Sequence, residues 1–143
     1  MTEPDLCADE LQRLLDSARA ARQRGYAPYS NFRVGAAVLD DQDRVHAGCN
    51  VENAAYPQGQ CAEAGALSAM VLAGGTRVRA LVVVGDGPAW VTPCGGCRQK
   101  LREFALPDTV VIVASPTEVQ ARLSLALLLP HSFGPEQLRP AQG

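Results

Sequence analysis

Residues 78–84 and 110–114 are short, almost wholly apolar runs dominated by valine, and between them residues 94–104 have helical composition and are entered through Pro93. Runs of this kind are strands buried on both faces, and strand, helix and strand in succession require a crossover that lays the two strands parallel beneath the helix. Residues 61–72 also have helical composition and stop at the Gly74 and Gly75 pair, so a second helix leads into the first of these strands. Upstream, residues 32–39 are rich in small and β-branched side chains, 40–43 form a polar turn and 44–51 read as a returning strand, which predicts an antiparallel hairpin. Before the hairpin, Leu11, Leu14, Leu15 and Ala18 recur at three and four, the apolar face of a helix that runs from Asp5 to about Arg24 and is ended by Gly25 and Pro28. Residues 118–129 read as a final helix, although three leucines in a row at 127–129 fix no period. The order predicts an α/β fold, a three-layer α/β/α sandwich around a mixed sheet, in a single domain over residues 1–143.

The 143 residues suffice for one core that buries roughly 68% of the surface of the unfolded chain. A hydrophobic fraction of 47% and a charged fraction of 20% are those of a globular protein and exclude extended disorder. The net charge is −2 and the basic residues are scattered, so no positive field gathers a long nucleic acid. The longest apolar runs, such as 125–129, are far too short to span a bilayer, and the acidic start MTEPDLCADE lacks the basic flank of a secretory leader. These features predict a cytoplasmic protein that engages neither membrane nor nucleic acid. Five cysteines, an odd number, argue against a disulfide framework and for metal or thiol chemistry. Cys7, in the first helical segment, reads as a small apolar residue.

The informative constellation is Cys61-Ala62-Glu63 at the start of one helix and Pro93-Cys94-Gly95-Gly96-Cys97 at the start of another. A helix N-terminus presents unpaired amides and partial positive charge, which lower a thiol's pKa and favour the metal-binding thiolate. Cys94 and Cys97, three apart, share one helical face, and Cys61 makes a third ligand. Three protein ligands leave one tetrahedral position of a zinc ion for water, the pattern of a catalytic rather than a structural site. Bound zinc brings the pKa of water to about 7, and Glu63, two residues from a ligand, stands beside the open position to carry the proton. Three thiolates give the centre a net charge of −1, so a compensating cation is needed. Arg98, directly after Cys97, is the candidate donor to a thiolate, with an ordinary surface charge as the alternative. Three other readings stay open: a closed four-cysteine structural site using Cys49, a redox dithiol at Cys94 and Cys97, and cysteines that merely pack in the core.

At this point the sequence resembles the small cytidine deaminases, in particular the homotetrameric branch with three cysteine zinc ligands. Beyond CAE at 61–63 and PCGGCRQ at 93–99, the segments YAPYSNFRVGAAVL at 26–39, GCNVENAAYP at 48–57 and LLPHSFGPEQL at 128–138 look like family segments, and together they cover most of the chain. The resemblance implies zinc-dependent hydrolytic deamination of cytidine and deoxycytidine, with Cys61, Cys94 and Cys97 on one Zn²⁺ per subunit and Glu63 as proton shuttle. It makes Asn50 and Glu52 the holders of the ribose hydroxyl. Residues two apart on an extended strand point the same way, and the charge of Glu52 would repel a 5′-phosphate. Phe32 resembles an aromatic packed against the base, Ala62 falls among the substrate contacts, and Phe133, Ala54 and Tyr56 resemble contributions from neighbouring subunits of a homotetramer. Core packing is the alternative for Phe32 and Phe133. The sequence departs from the branch at Ala64, where an arginine often follows CAE. Two other functions remain: deamination of a different cytosine-containing nucleoside, and a noncatalytic zinc-stabilised interaction module.

Overall fold

In a computed structural model, which describes residues 6–139, five strands form one sheet. They are β1 (Gly35–Asp40), β2 (Val45–Cys49), β3 (Val78–Val84), β4 (Val110–Ala114) and β5 (Val119–Ser124), in the spatial order β2-β1-β3-β4-β5. β3 and β4 are parallel, and the other neighbours are antiparallel. The helices are α1 (Ala8–Gln23), α2 (Ala62–Leu72), α3 (Gly95–Arg102) and the single turn α4 (Leu125–Leu128).

Because side chains alternate across a strand, each central strand feeds both faces. Ala37, Leu39, Val82, Val84 and Ile112 meet Leu14, Leu15 and Ala18 of α1. Ala36, Val38, Leu81, Val83 and Val111 meet Ala66, Leu67 and Met70 of α2 and Leu101 of α3. β1, β3 and β4 therefore read as continuous apolar runs, and the α/β/α sandwich with a mixed sheet is the fold that buries both their faces.

Several details differ from the sequence reading. Residues 118–129 are not one helix. Residues 119–124 pair antiparallel with β4, giving its outer edge the hydrogen-bond partners that buried backbone requires. The Ser124 side chain then accepts from the amide of Leu127 and starts α4. Cys7 is not an apolar packing residue: it is exposed, and its Sγ accepts from the Glu10 amide at 3.4 Å while Glu10 accepts from the Cys7 amide at 3.0 Å, a reciprocal cap on α1. α1 is described from Ala8; Asp5, where the helix was expected to begin, lies outside the described residues. β1 begins at Gly35 rather than at Phe32, because residues 29–34 are bonded instead to residues 50 and 52.

The hairpin turn is fixed by a buried carboxylate. Asp40, fully buried, accepts from the amides of Gln42 and Arg44 at 2.8 and 2.9 Å, from Arg44 Nε at 3.0 Å and from His46 Nε2 at 2.7 Å. Burial pushes its pKa up, but the His46 contact, the two amides and Arg44 together outweigh burial and hold it at about 2. A carboxyl whose folded pKa is depressed stabilises the fold fully above its unfolded value and loses that contribution as pH falls through the folded one. Between about pH 4 and pH 2 the protein is therefore expected to lose about 2 kcal/mol through Asp40, a loss absent from Asp40→Asn. Urea midpoints of both proteins across that interval measure it, and parallel acid curves would refute it.

Candidate active site and metal centre

The two helices that cover the same face of the sheet bring their N-termini together. Cys61 is the extended residue that precedes α2, and Cys94 occupies the same place before α3. Cys97, in the first turn of α3, is buried. The three sulfurs lie within 4.8 Å of one another, with Cys61 and Cys94 at 3.8 Å. Two thiolates on a tetrahedral zinc with bonds of about 2.3 Å are separated by about 3.8 Å, so the arrangement fits that ion with little movement. Among the described residues no other His, Cys, Asp or Glu joins the group. Cys49, on β2, is thus not a fourth ligand, and Cys61 supplies the third sulfur that a redox pair lacks.

The electrostatics also call for a cation. Burial pushes the Cys61 thiol up, and pushes Cys97 up strongly, with the Glu63 and Cys61 charges adding to it. Cys94 alone is lowered, chiefly by the nearby amide of Cys97, although no regular capping hydrogen bond forms there. Thiols so placed do not ionise together without a divalent positive charge among them. Glu63, in the first turn of α2, is only 5% exposed, and burial raises its pKa, opposed by its own backbone amide and by the charge of Lys100.

A cavity of about 620 Å³ opens on this group. Cys61, Ala62, Glu63 and Cys94 line it, and so do Asn50, Glu52 and Tyr56. Asn50 and Glu52 lie just beyond β2, where Val51 bridges to Tyr26 and Gln60. Asn50 Nδ2 donates to the Phe32 carbonyl at 2.7 Å, and its Oδ1 accepts from the Val34 amide at 2.9 Å. Glu52 Oε1 accepts from the amides of Tyr29 and Ser30 at 2.9 and 3.1 Å, while Ser30 Oγ donates to its other oxygen. The Tyr56 ring meets Tyr29 edge to face at 5.9 Å, so Tyr56 flanks this chain's own cavity.

Phe32, Ala54 and Phe133 do not line it. Phe32 and Phe133 are not core residues either, being 41% and 56% exposed. Arg98 directs its guanidinium to the carbonyls of Pro93 and Leu128, at 2.7 and 2.8 Å, and to Thr92 Oγ1 at 3.1 Å. It holds the loop that delivers Cys94, and its hydrogen bonds go to these oxygens instead of to a sulfur. Sequence reasoning passed over Tyr29, Ser30, Gln60, Val91 and Thr92, all of which line the cavity. The one available signal was Glu52, whose carboxylate had to find donors somewhere in the fold.

Residues 8–114 match the model of the cytidine and deoxycytidylate deaminase zinc-binding region. The chain belongs to this family. It is 37% identical over 129 residues to a cytidine deaminase of Sporosarcina psychrophila, a match covering 90% of this chain and 95% of that one. Among solved structures, the cytidine deaminase of Burkholderia pseudomallei is 41% identical with a TM-score of 0.79, covering 85% of this chain and 98% of the other. The Mycobacterium tuberculosis cytidine deaminase is 39% identical with a TM-score of 0.73, covering 87% and 97%. The matched region contains all three clustered cysteines and Glu63, so the family's zinc-binding character and this chain's sulfur geometry agree. Among the described residues no helix is long and apolar enough to cross a membrane.

Proposed function

We propose that this single-domain protein is a zinc-dependent cytidine deaminase that converts cytidine and deoxycytidine, with water, to uridine or deoxyuridine and ammonia. The observation that carries this reading is the buried Glu63 carboxylate beside three sulfurs spaced for one zinc, with Glu63, Cys61 and Cys94 lining a cavity that also holds Asn50 and Glu52. When bound, zinc supplies a Lewis acid that makes a water acidic enough to attack at neutral pH. Glu63 accepts the proton that this water loses and delivers it to the ring nitrogen next to C4 of the cytosine. As the C4–N bond breaks, Glu63 carries the second proton to the departing amine, which leaves as ammonia. A raised pKa suits a group that must both take and return a proton near neutrality.

At the other end of the cavity Asn50 and Glu52 hold the sugar, and the negative Glu52 disfavours a 5′-phosphate. In this reading Phe32 packs against the base, and Phe133 and Ala54 serve a neighbouring subunit's site within a homotetramer. Support comes from the apolar surface left open on one chain, with Phe133 at the end of an exposed loop and Leu72 of α2 at 90% exposure. The free cysteines suit a reducing cytoplasm, where the product would enter pyrimidine salvage.

The test is ammonia release from cytidine, deoxycytidine, cytosine and cytidine monophosphate, with zinc assayed in the same samples. Turnover of the two nucleosides, with the free base and the nucleotide at least about tenfold poorer in kcat/KM, is the expected result. A zinc-loaded protein inert toward every cytosine compound would overturn the proposal.

A further inference from the structure

Most of the capacity of Glu52 to accept hydrogen bonds is already committed within the fold. A carboxylate offers about four acceptor positions. Two on Oε1 are filled by the amides of Tyr29 and Ser30, and one on Oε2 by the Ser30 hydroxyl. One position remains, on the oxygen that Ser30 Oγ touches. The hydroxyl is itself fixed, because it accepts from the Phe32 amide at 3.0 Å and so turns its own proton to Glu52. Asn31 holds this turn with φ at 59°, and residues 26 and 50–52 tie its base through Tyr26 N–H to Asn50 O at 2.9 Å and Glu52 N–H to Tyr26 O at 2.8 Å.

The geometry points to Ser30 as a positioning residue for nucleoside binding, whose hydroxyl aims the one free acceptor of Glu52 at a sugar hydroxyl. This rests on the reading of Glu52 as a sugar contact. Ser30 lines the cavity, and the backbone that follows it also fixes Asn50 through the Phe32 carbonyl and the Val34 amide. One short segment thus orients both polar groups at the sugar end before any substrate arrives. The Ser30 hydrogen bond is also the leading reason that the Glu52 carboxyl is held below its ordinary range, which keeps it a pure acceptor. A contact that bound substrate and transition state make alike lowers KM without changing kcat, and the assignment makes the Glu52 contact one of this kind, so its loss raises KM.

The test compares Ser30→Ala, Ser30→Thr and Glu52→Gln with the wild type, on cytidine and on 2′,3′-dideoxycytidine, which keeps the 5′-hydroxyl but lacks the hydroxyls at C2′ and C3′ that the assignment gives to Glu52. Ser30→Ala is expected to raise KM for cytidine on the order of tenfold with kcat within about twofold, and to leave kcat/KM for the dideoxy substrate within about twofold. Ser30→Thr, which keeps the hydroxyl, is expected to restore KM for cytidine. An unchanged KM in Ser30→Ala, or equal losses on both substrates, would overturn the assignment. Glu52→Gln separates the two levels. If it discriminates between the substrates and Ser30→Ala does not, the role of Ser30 fails alone; if Glu52→Gln treats both substrates alike, the reading of Glu52 fails beneath it.

Discussion

Glu63→Gln is expected to lower kcat for cytidine by about 10³-fold or more while zinc content and fold stay as in the wild type. Both proton transfers pass through this carboxylate, and an amide of the same shape can perform neither. The structure also gives the sign of the stability change. Burial raises the folded pKa of Glu63, so above the ordinary glutamate value its ionisation opposes folding, and the opposition is complete once pH exceeds the folded value. A neutral amide removes that opposition, and at neutral pH the metal-free variant is expected to melt at or above the metal-free wild type. Metal analysis, melting curves and single-turnover rates on one preparation measure all of this. A variant that lost zinc and stability along with activity would show the carboxylate to be structural, and one that still turned over would remove it from the reaction.

What the sequence made legible follows from how locally each feature is encoded. The strands at 78–84 and 110–114 and the helix between them are written in consecutive residues, and the structure differs only at the ends of that helix. The metal group is legible because Cys94 and Cys97 are three apart at one helix start, where they stay close, and because Glu63 must follow Cys61 wherever Cys61 goes. Residues 118–129 are a different case. Five leucines among twelve residues suit a helix as well as a strand, and the choice is made by the open edge of β4, which no local pattern records. Arg98 was legible as a residue close to the metal but not in its task, since its partner Leu128 lies 30 residues away. The same holds for Ser30 and Glu52, 22 residues apart. Cys7 differs, since its cap partner Glu10 is three residues on and what hid the role was reading a thiol as an apolar group. Phe32 and Phe133 resemble substrate-side aromatics in the sequence, with core packing as the alternative, and one chain leaves both exposed, so the alternative fails.

Gly48→Ala is expected to damage the site from a position that touches no substrate. Gly48 lies on β2 opposite Ala36, and a methyl there would stand 2.4 Å from the Ala66 amide nitrogen, 2.5 Å from the Ala62 carbonyl oxygen and 2.7 Å from the Gly65 carbonyl carbon. All three are backbone atoms of α2, so no side chain can swing aside and the helix itself must retreat, by about 1 Å to reach ordinary contact. α2 carries Cys61 at its N-terminus and Glu63 in its first turn, whereas Cys94 and Cys97 belong to α3. A shift of one helix against the other therefore opens the sulfur triangle and moves the proton carrier together. The expected outcome is a loss of about 1–3 kcal/mol in urea denaturation, weaker zinc retention against a chelator and at least about a hundredfold fall in kcat/KM. Gly65→Ala supplies the contrast on the facing side of the same contact. Its added methyl would meet nothing closer than the Gly48 Cα at 3.4 Å, and alanine is the better helix former by about 0.5–1 kcal/mol, so that variant should be neutral or slightly stabilising. Equal behaviour of the two variants would mean that the close approach of β2 and α2 does not set the position of the metal ligands.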